Sequence, residues 1–473
     1  MKTLFEAKRI YFVGIKGIAM SALAVVAKEH GLSVSGSDLD EEFPSDQILR
    51  ASGIPVEHGF DGNHILAYKP DVVVYTGAHN GRENVEVKTA RQLRIPVYPH
   101  GQALGMVMKG MFQVSVAGSH GKTTTASMIA TVFTHAKKDP SYAIGCGEIR
   151  GLGNPGHKGK SRYFIAEADE YVTDPKHDAT PRFLWQNPDI LVVTNIDFDH
   201  PDAYDNIADV QKAFVRLQQQ VGKKITIINN DDSNSSVLLG PETSNQVITY
   251  GTKPSSTYRI HTVNNRSDMT TFRLSTKGQE IGIFTLHVPG MHNVYNATAT
   301  IIAALSEGIP YEVIREGLML FGGAKRRFEL IREARGVHFY DDYAHHPKEI
   351  TATLKAIRGW YPKDRIISIF QPHTYSRTKS LFGEFSHAFS DADCVCITEI
   401  YASARENDTL GITGEMLSRE ISRFHPNVHF APTPQDVFRY ILRECKPNDR
   451  VIFMGAGNIY IWAQDAVKQY STI

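Results

Sequence analysis

The chain has few of the residues that define several protein classes. Four cysteines in 473 residues (Cys146, Cys394, Cys396, Cys445) are too few for a disulfide scaffold, so a reducing, cytoplasmic compartment is expected. Net charge is absent too: 51 Lys+Arg balance 51 Asp+Glu, which excludes a globally basic nucleic-acid binder. No apolar run reaches the roughly 18 residues of a membrane span, and MKTLFEAKRIYFVGIKG enters a strand at once with no signal-cleavage pattern. There is no internal repeat, heptad array or low-complexity tract. A zinc site lacks its usual spacing, because neither Cys-x-x-Cys nor a helical His-x-x-x-His occurs among the 20 histidines.

What is present is ordinary globular composition, 42% hydrophobic and 22% charged, in a chain too long for one core. Short apolar runs alternate with helix-like stretches, which predicts an α/β protein. IYFVG, LSVSGSD, DVVVYTGA and IPVYP form a first doubly wound unit with four strands, over residues 1–105. FQVSVAG, YFIAEADE, DILVVTNID and KITIINNDD form a second, over 106–322, with residues 246–288 expected as a small antiparallel sheet. A third Rossmann-like unit with parallel strands is expected over 323–473.

The sharpest local pattern is VSVAGSHGKTTT. A strand runs into Gly118, Ser119, His120, Gly121, Lys122, Thr123 and Thr124, then into a helix. Glycines let backbone N–H groups turn toward phosphate oxygens, and the helix N-terminus adds partial positive charge. Lys122 then reaches the β/γ-phosphates and the Thr123 hydroxyl holds Mg²⁺. The loop is a shortened variant, because Val116 stands where the eight-residue pattern has its first glycine. Mg²⁺ needs further oxygen ligands, and two strand ends offer them: Glu167, Asp169 and Glu170 in one, Asp197, Asp199 and His200 in the other. In the first unit, VGIKGIAMSA with Asp38 looks like a dinucleotide fingerprint broken at Lys16 and Ala19. Gly14, Gly17, Ser37, Thr76, His79 and His100 are the other candidates there. The adjacent His345 and His346 cannot share one face, so one is expected to cap or meet substrate and the other to pack.

AGSHGKTTT, EADE, TNIDFDH, PGMHNVYNA, RRFE and DDYAHHP, in that order, resemble the Mur ligases, ATP-dependent acid–amine ligases of peptidoglycan synthesis. KRRFE, DDYAHHPKEI and FQPHTYSRT resemble the family's alanine-adding branch. The resemblance implies a UDP-sugar domain, an ATPase domain and a Rossmann-like amino-acid domain. It implies UDP-N-acetylmuramate, L-alanine and ATP as substrates, Mg²⁺, and a monomer or weak homodimer with no nucleic-acid or membrane partner. Lys122 is implied to hold the ATP phosphates, with Thr123, Glu167 and His200 as metal ligands. Asn293, and less directly Asn296, resemble the adenine contact, Asp342 the ribose contact, and Arg327 the arginine that the third domain presents to the phosphates. Tyr343, His345, His373 and Arg377 resemble the amino-acid site. The chemistry implied is phosphorylation of the lactyl carboxylate to an acyl phosphate, then attack by the amine, with His200 or His345 as the base and domains closing on two hinges.

Some positions depart from that pattern. Lys16 and Ala19 replace two glycines of the family's first loop, and Lys16 either faces the UDP diphosphate or is solvated. Val215 stands where several relatives carry a carbamylated lysine, as in the alanine-adding branch. Tyr171 and the longer VTDPKHDATPRF follow EADE, where the branch expects a serine. EADEY resembles instead the recycling ligase that joins UDP-N-acetylmuramate to a tripeptide. That ligase is one rival reading. A P-loop switch ATPase, a nicotinamide dehydrogenase built on the first unit alone, and a non-catalytic binding module are the others.

Overall fold

Strands buried on both faces carry unbroken apolar runs. Ile190–Val193 and the Ile10–Val13 part of Arg9–Val13 do so, and both lie inside parallel sheets. The computed structural model describes residues 4–222, 224–240, 245–402, 406 and 408–472. Its first sheet has five parallel strands, in the order Val56–His58, Ser33–Asp38, Arg9–Val13, Val72–Tyr75, Val97–Pro99. Val56–His58 went unread in the sequence because a three-residue edge strand with two exposed polar residues shows no periodicity. The strand order reverses beside Arg9–Val13, which opens a crevice at the carboxyl ends.

The second sheet has ten strands. At its centre Phe112–Ala117 lies between Tyr163–Ala168 and Ile190–Val193, all parallel. Their carboxyl ends therefore leave the sheet on one edge, bringing the loop at 118–121 beside both acidic strand ends. Residues 246–288 do not form a separate sheet. Gln246–Gly251 pairs parallel with Ile225–Asn229, and Tyr258–Arg266, Met269–Thr276 and Gln279–Leu286 extend the same sheet, the last two antiparallel. The third sheet has six strands, five of them parallel. Its edge strand Glu329–Ala334 forms an antiparallel hairpin with Val337–Asp342.

The first two sheets share a core. Helix Ile18–Glu29 buries Ala22, Leu23 and Val26 in one cluster with Ala143, Phe164 and Ala166 of the second sheet. Gly156 permits the close approach, since a Cβ there would lie 2.2 Å from the Ala22 carbonyl oxygen. The inserted VTDPKHDATP forms the hairpin Val172–Asp174/Asp178–Pro181, and Asp174 accepts a hydrogen bond from the Arg82 amide at 3.0 Å. The first and second units are thus joined by a packed contact.

Candidate active site

Gly118 (φ 135°) and Gly121 (φ 84°) adopt backbone angles that side chains avoid, and a Cβ on Gly118 would meet the Thr194 hydroxyl at 2.0 Å. Helix Lys122–His135 starts immediately afterwards. Lys122 folds back over the turn, donating to the carbonyls of Gly118 (2.6 Å) and Ser119 (3.3 Å) and to Glu170 (2.8 Å). Burial alone lowers the ammonium's pKa, but Glu170, Asp169 and Glu167 outweigh it and hold the charged form. Ser119 and His120 fasten the loop to the neighbouring strand end. The Ser119 hydroxyl accepts from the Asp197 amide at 2.8 Å, and the His120 amide donates to Asn195 at 2.9 Å.

Glu167 and His200, the expected metal ligands, have different neighbours in this structure. Glu167 accepts from the Thr123 hydroxyl at 3.0 Å and the Gly145 amide at 2.6 Å. The glutamate that meets His200 is Glu170, 3.9 Å from Nε2. Asp169, Glu170 and His200 bring three ligand atoms within 4.8 Å of one another. Glu170 Oε1 is buried and has no hydrogen-bond partner among the described residues. An unpartnered carboxylate oxygen facing an imidazole nitrogen fits a hard divalent cation with mixed oxygen and nitrogen ligands. The difference arises because side chains alternate along Tyr163–Ala168: Glu167 still lies on the strand, whereas Glu170 lies beyond its end. Burial raises the Asp169 carboxyl, but Arg182, Lys122 and His200 bring it down to about 2.

The third sheet contributes its own loops. Arg327 sits between Arg326 (φ 63°) and Phe328 (φ 51°), a kinked backbone that presents its guanidinium over Tyr343, 5.1 Å from the ring centroid. Asp342 accepts from the amides of Phe328 (2.7 Å) and Ala344 (2.8 Å), so it shapes this loop as well as lining the cavity below. The adjacent histidines take different roles. His346 caps helix Pro347–Trp360 by accepting from the Lys348 amide, while His345 faces the larger cavity. Burial lowers His345 to about 4, so it is neutral near pH 7. Its Nδ1–H donates to the Tyr343 carbonyl at 2.9 Å, leaving Nε2 as the acceptor. Arg377 pairs with Asp199 at 3.3 Å and lies 3.3 Å from His373 Nδ1.

In the first unit several candidate side chains are engaged within the protein. Lys16 neither faces a diphosphate nor is solvated. It is buried, pairs with Asp46 at 3.3 Å and donates to the carbonyls of Leu39 (3.1 Å) and Glu41 (2.7 Å). Asp38 is likewise committed to the amides of Lys16 and Leu39, and Ser37 donates to the buried Glu86. Gly14 packs against Thr76. Of those five candidates only Gly17 lines the cavity, together with Thr76, His79 and His100. Lys16→Met leaves Asp46 buried without its partner. It is expected to cost about 3 kcal/mol of stability. It should also raise the KM of the ligand bound in the larger cavity, which Leu39, Glu41, Phe43 and Pro44 line, without changing that of ATP. Chemical denaturation and steady-state kinetics check both.

Two cavities meet at the phosphate turn. The larger, about 830 Å³, runs from Gly17 and His79 past Lys122, Glu167 and His200 to Tyr343, His345, His373 and Arg377. The smaller, about 300 Å³, lies behind Gly121 and Thr124 and is lined by Asn293, Asn296 and Asp342. His120, Gly121, Arg327 and Glu349 line both. In the smaller one, Asn293 already donates to the Pro289 carbonyl at 2.7 Å and accepts from Asn296 at 3.2 Å. The neighbouring His292, which sequence reading passed over inside PGMHNVYNA, also lines it, held neutral by burial at about 4. Lys348 and Glu349 were missed as well, because a helix's first turn gives no sign of what lies across a domain boundary.

Comparison with known proteins accords with this layout. Three family models match in order: the Mur ligase family catalytic domain over residues 9–111, the Mur ligase middle domain over 116–304, and the Mur ligase glutamate ligase domain over 326–457. The UDP-N-acetylmuramate–L-alanine ligase of Desulfitobacterium hafniense is 38% identical, over 97% of this chain and 99% of its own. That of Pelobacter propionicus is 39% identical, over 96% of each. The crystal structure of a UDP-N-acetylmuramate-alanine ligase from Thermotoga maritima superposes with TM-score 0.83 at 28% identity, over 98% of this chain and 99% of its own. A murein peptide ligase from Psychrobacter arcticus shares the fold with TM-score 0.73 at 22% identity, over 98% and 99%. With full-length relatives well above 30% identity and all three models in sequence, the chain belongs to the Mur ligase family.

Proposed function

We propose that the protein joins L-alanine to the lactyl carboxylate of UDP-N-acetylmuramate, with ATP converted to ADP and phosphate. The observation that carries this reading is the meeting of the two cavities at residues 118–123: one is sized for a nucleoside, the other for a sugar nucleotide and an amino acid. The carboxylate attacks the γ-phosphorus, ADP leaves, and an acyl phosphate forms. The amine then attacks the acyl carbon, and phosphate leaves with the bonding pair. Two anions must approach each other in the first step, so the site works chiefly by positioning and by charge.

Lys122 and the backbone of Gly118–Thr124 hold the β/γ-phosphates, and Arg327 reaches them from the third unit. Asn293, Asn296 and Asp342 frame the nucleoside. Glu170, Asp169 and His200 would hold one divalent cation, and Thr123 and Glu167 would serve a second. Such cations, when bound, neutralise phosphate charge. Tyr343, His373 and Arg377 orient the amino acid, and a histidine of the larger cavity, His200 or His345, takes the ammonium proton. The division into units 1–105, 106–322 and 323–473 goes with this assignment. Cytoplasmic location goes with the four free cysteines.

Tyr171 favours a second reading. It replaces the branch's serine, its hydroxyl donates to Asp202 at 2.6 Å, and its ring lies 4.8 Å from that of His200. That residue supports the tripeptide ligase. Product mass after incubation with ATP, Mg²⁺, UDP-N-acetylmuramate and competing L-alanine and tripeptide separates the two. The alanyl product is expected. Preference for tripeptide overturns the acceptor assignment, and no amide product in either case overturns the reaction.

A further inference from the structure

Helix Pro347–Trp360 begins with a capping box, in which Glu349 accepts from backbone amides at the helix start. A capping glutamate needs one carboxylate oxygen for that role, and ordinarily faces solvent on the first turn. Glu349 is 14% exposed, and its two oxygens are divided. Oε2 accepts from the amides of His345 (3.1 Å) and His346 (3.4 Å). Oε1 reaches across the boundary between units to His120 Nδ1, at 3.1 Å. His120 is the side chain in the middle of the phosphate turn. Its other ring nitrogen, Nε2, lies 3.5 Å from Asp197, and its carbonyl accepts from Thr194 (2.6 Å) and Asn195 (3.0 Å). The turn's backbone is thus fastened by its own sheet, but its imidazole is fastened by the third unit.

We propose that Glu349 is a positioning residue for the phosphate turn: docking of the third unit brings its carboxylate onto His120 and holds that imidazole between Glu349 and Asp197, so the turn's side chain takes its working position only in the docked arrangement. The inference rests on reading residues 118–123 as the phosphate site. It adds a coupling that this reading does not contain. Two further contacts run across the same boundary, Lys348 to Asp197 at 2.6 Å and Arg377 to Asp199 at 3.3 Å. Among the described residues, Glu349 supplies the hydrogen bond to the turn, and the His346 ring lies beside it.

The charges around His120 fit the geometry. Glu349 faces it from helix Pro347–Trp360, Asp197 and Asp199 from the strand-end loop, and the His346 ring lies 5.0 Å away, with Lys348 bonded to Asp197. Burial opposes the imidazolium, but Asp197 and Glu349 raise His120 to about 10. The imidazolium, bonded to Glu349 and 3.5 Å from Asp197, is then present through neutral pH and is lost only as pH rises through that value. Without the Glu349 charge the loss moves toward the ordinary range near 6.5.

The variant Glu349→Gln keeps an acceptor for the cap and removes the charge. Its helix content should match wild type by circular dichroism, while kcat falls about tenfold or more, as for a lost charge-assisted bond. Its kcat should also decline between pH 6 and 9, where the wild type gains no such limb. His120→Asn should show a similar loss, and the double variant no more than either single one. Additive losses, or a Glu349→Gln enzyme with wild-type kcat and pH profile, overturn the inference. Wild-type turnover in Lys122→Ala instead overturns the phosphate-site reading, so the two failures are distinguishable. If Glu349→Gln is poorly folded, a full wild-type kcat and pH profile in His120→Asn overturns the inference alone.

Discussion

Lys122→Ala is expected to lower kcat by roughly 10²–10³-fold, the loss seen when one preorganised group that stabilises transition-state charge is removed. The side chain is already drawn over the turn by the Gly118 and Ser119 carbonyls, and Glu170 anchors its ammonium. It therefore pays little reorganisation when phosphates arrive. The fold should survive, because helix Lys122–His135 is held by Ala126, Ile129, Ala130 and Phe133 in the core of the second unit. Stability should still drop by about 3 kcal/mol, since Glu170 loses its cationic partner in a buried setting. Single-turnover kinetics and thermal unfolding measure the two effects. Unimpaired turnover contradicts the role assigned to the lysine.

Glu170→Gln is expected to be nearly as damaging, with about 10²-fold lower kcat/KM and a marked loss of Mn²⁺ affinity. Glu167→Gln should cost about tenfold. A glutamine there can still accept from the Thr123 hydroxyl and the Gly145 amide, whereas at Glu170 it removes the charge facing His200. Electron paramagnetic resonance titration with Mn²⁺ in the absence of turnover reads affinity directly. If Glu167→Gln loses Mn²⁺ binding and Glu170→Gln keeps it, the assignment of Glu170 to the cation is reversed.

The boundary between what could be read from residues and what could not follows the range of the interactions. Strand Phe112–Ala117, the two glycines and helix Lys122–His135 are successive in the chain, and each is favoured by its own local chemistry. The same holds for the buried parallel strands, whose apolar runs admit no other setting. Lys16 was misjudged because its fate depends on Asp46 and the carbonyls of Leu39 and Glu41, a loop more than twenty residues away. Residues 246–288 were read as a separate sheet because strand propensity does not say which edge a strand will join.

Backbone propensity and motif order determined the α/β units, the phosphate turn and the two acidic strand ends, because these depend on near neighbours and on side-chain alternation. Tertiary packing decided that Glu170 rather than Glu167 meets His200, that one core joins the first two units, and that a helix-capping glutamate reaches the phosphate turn. The reason is physical: a carboxylate's partner is set by which charges and donors share its buried volume, and those come from segments as distant as residues 120 and 349.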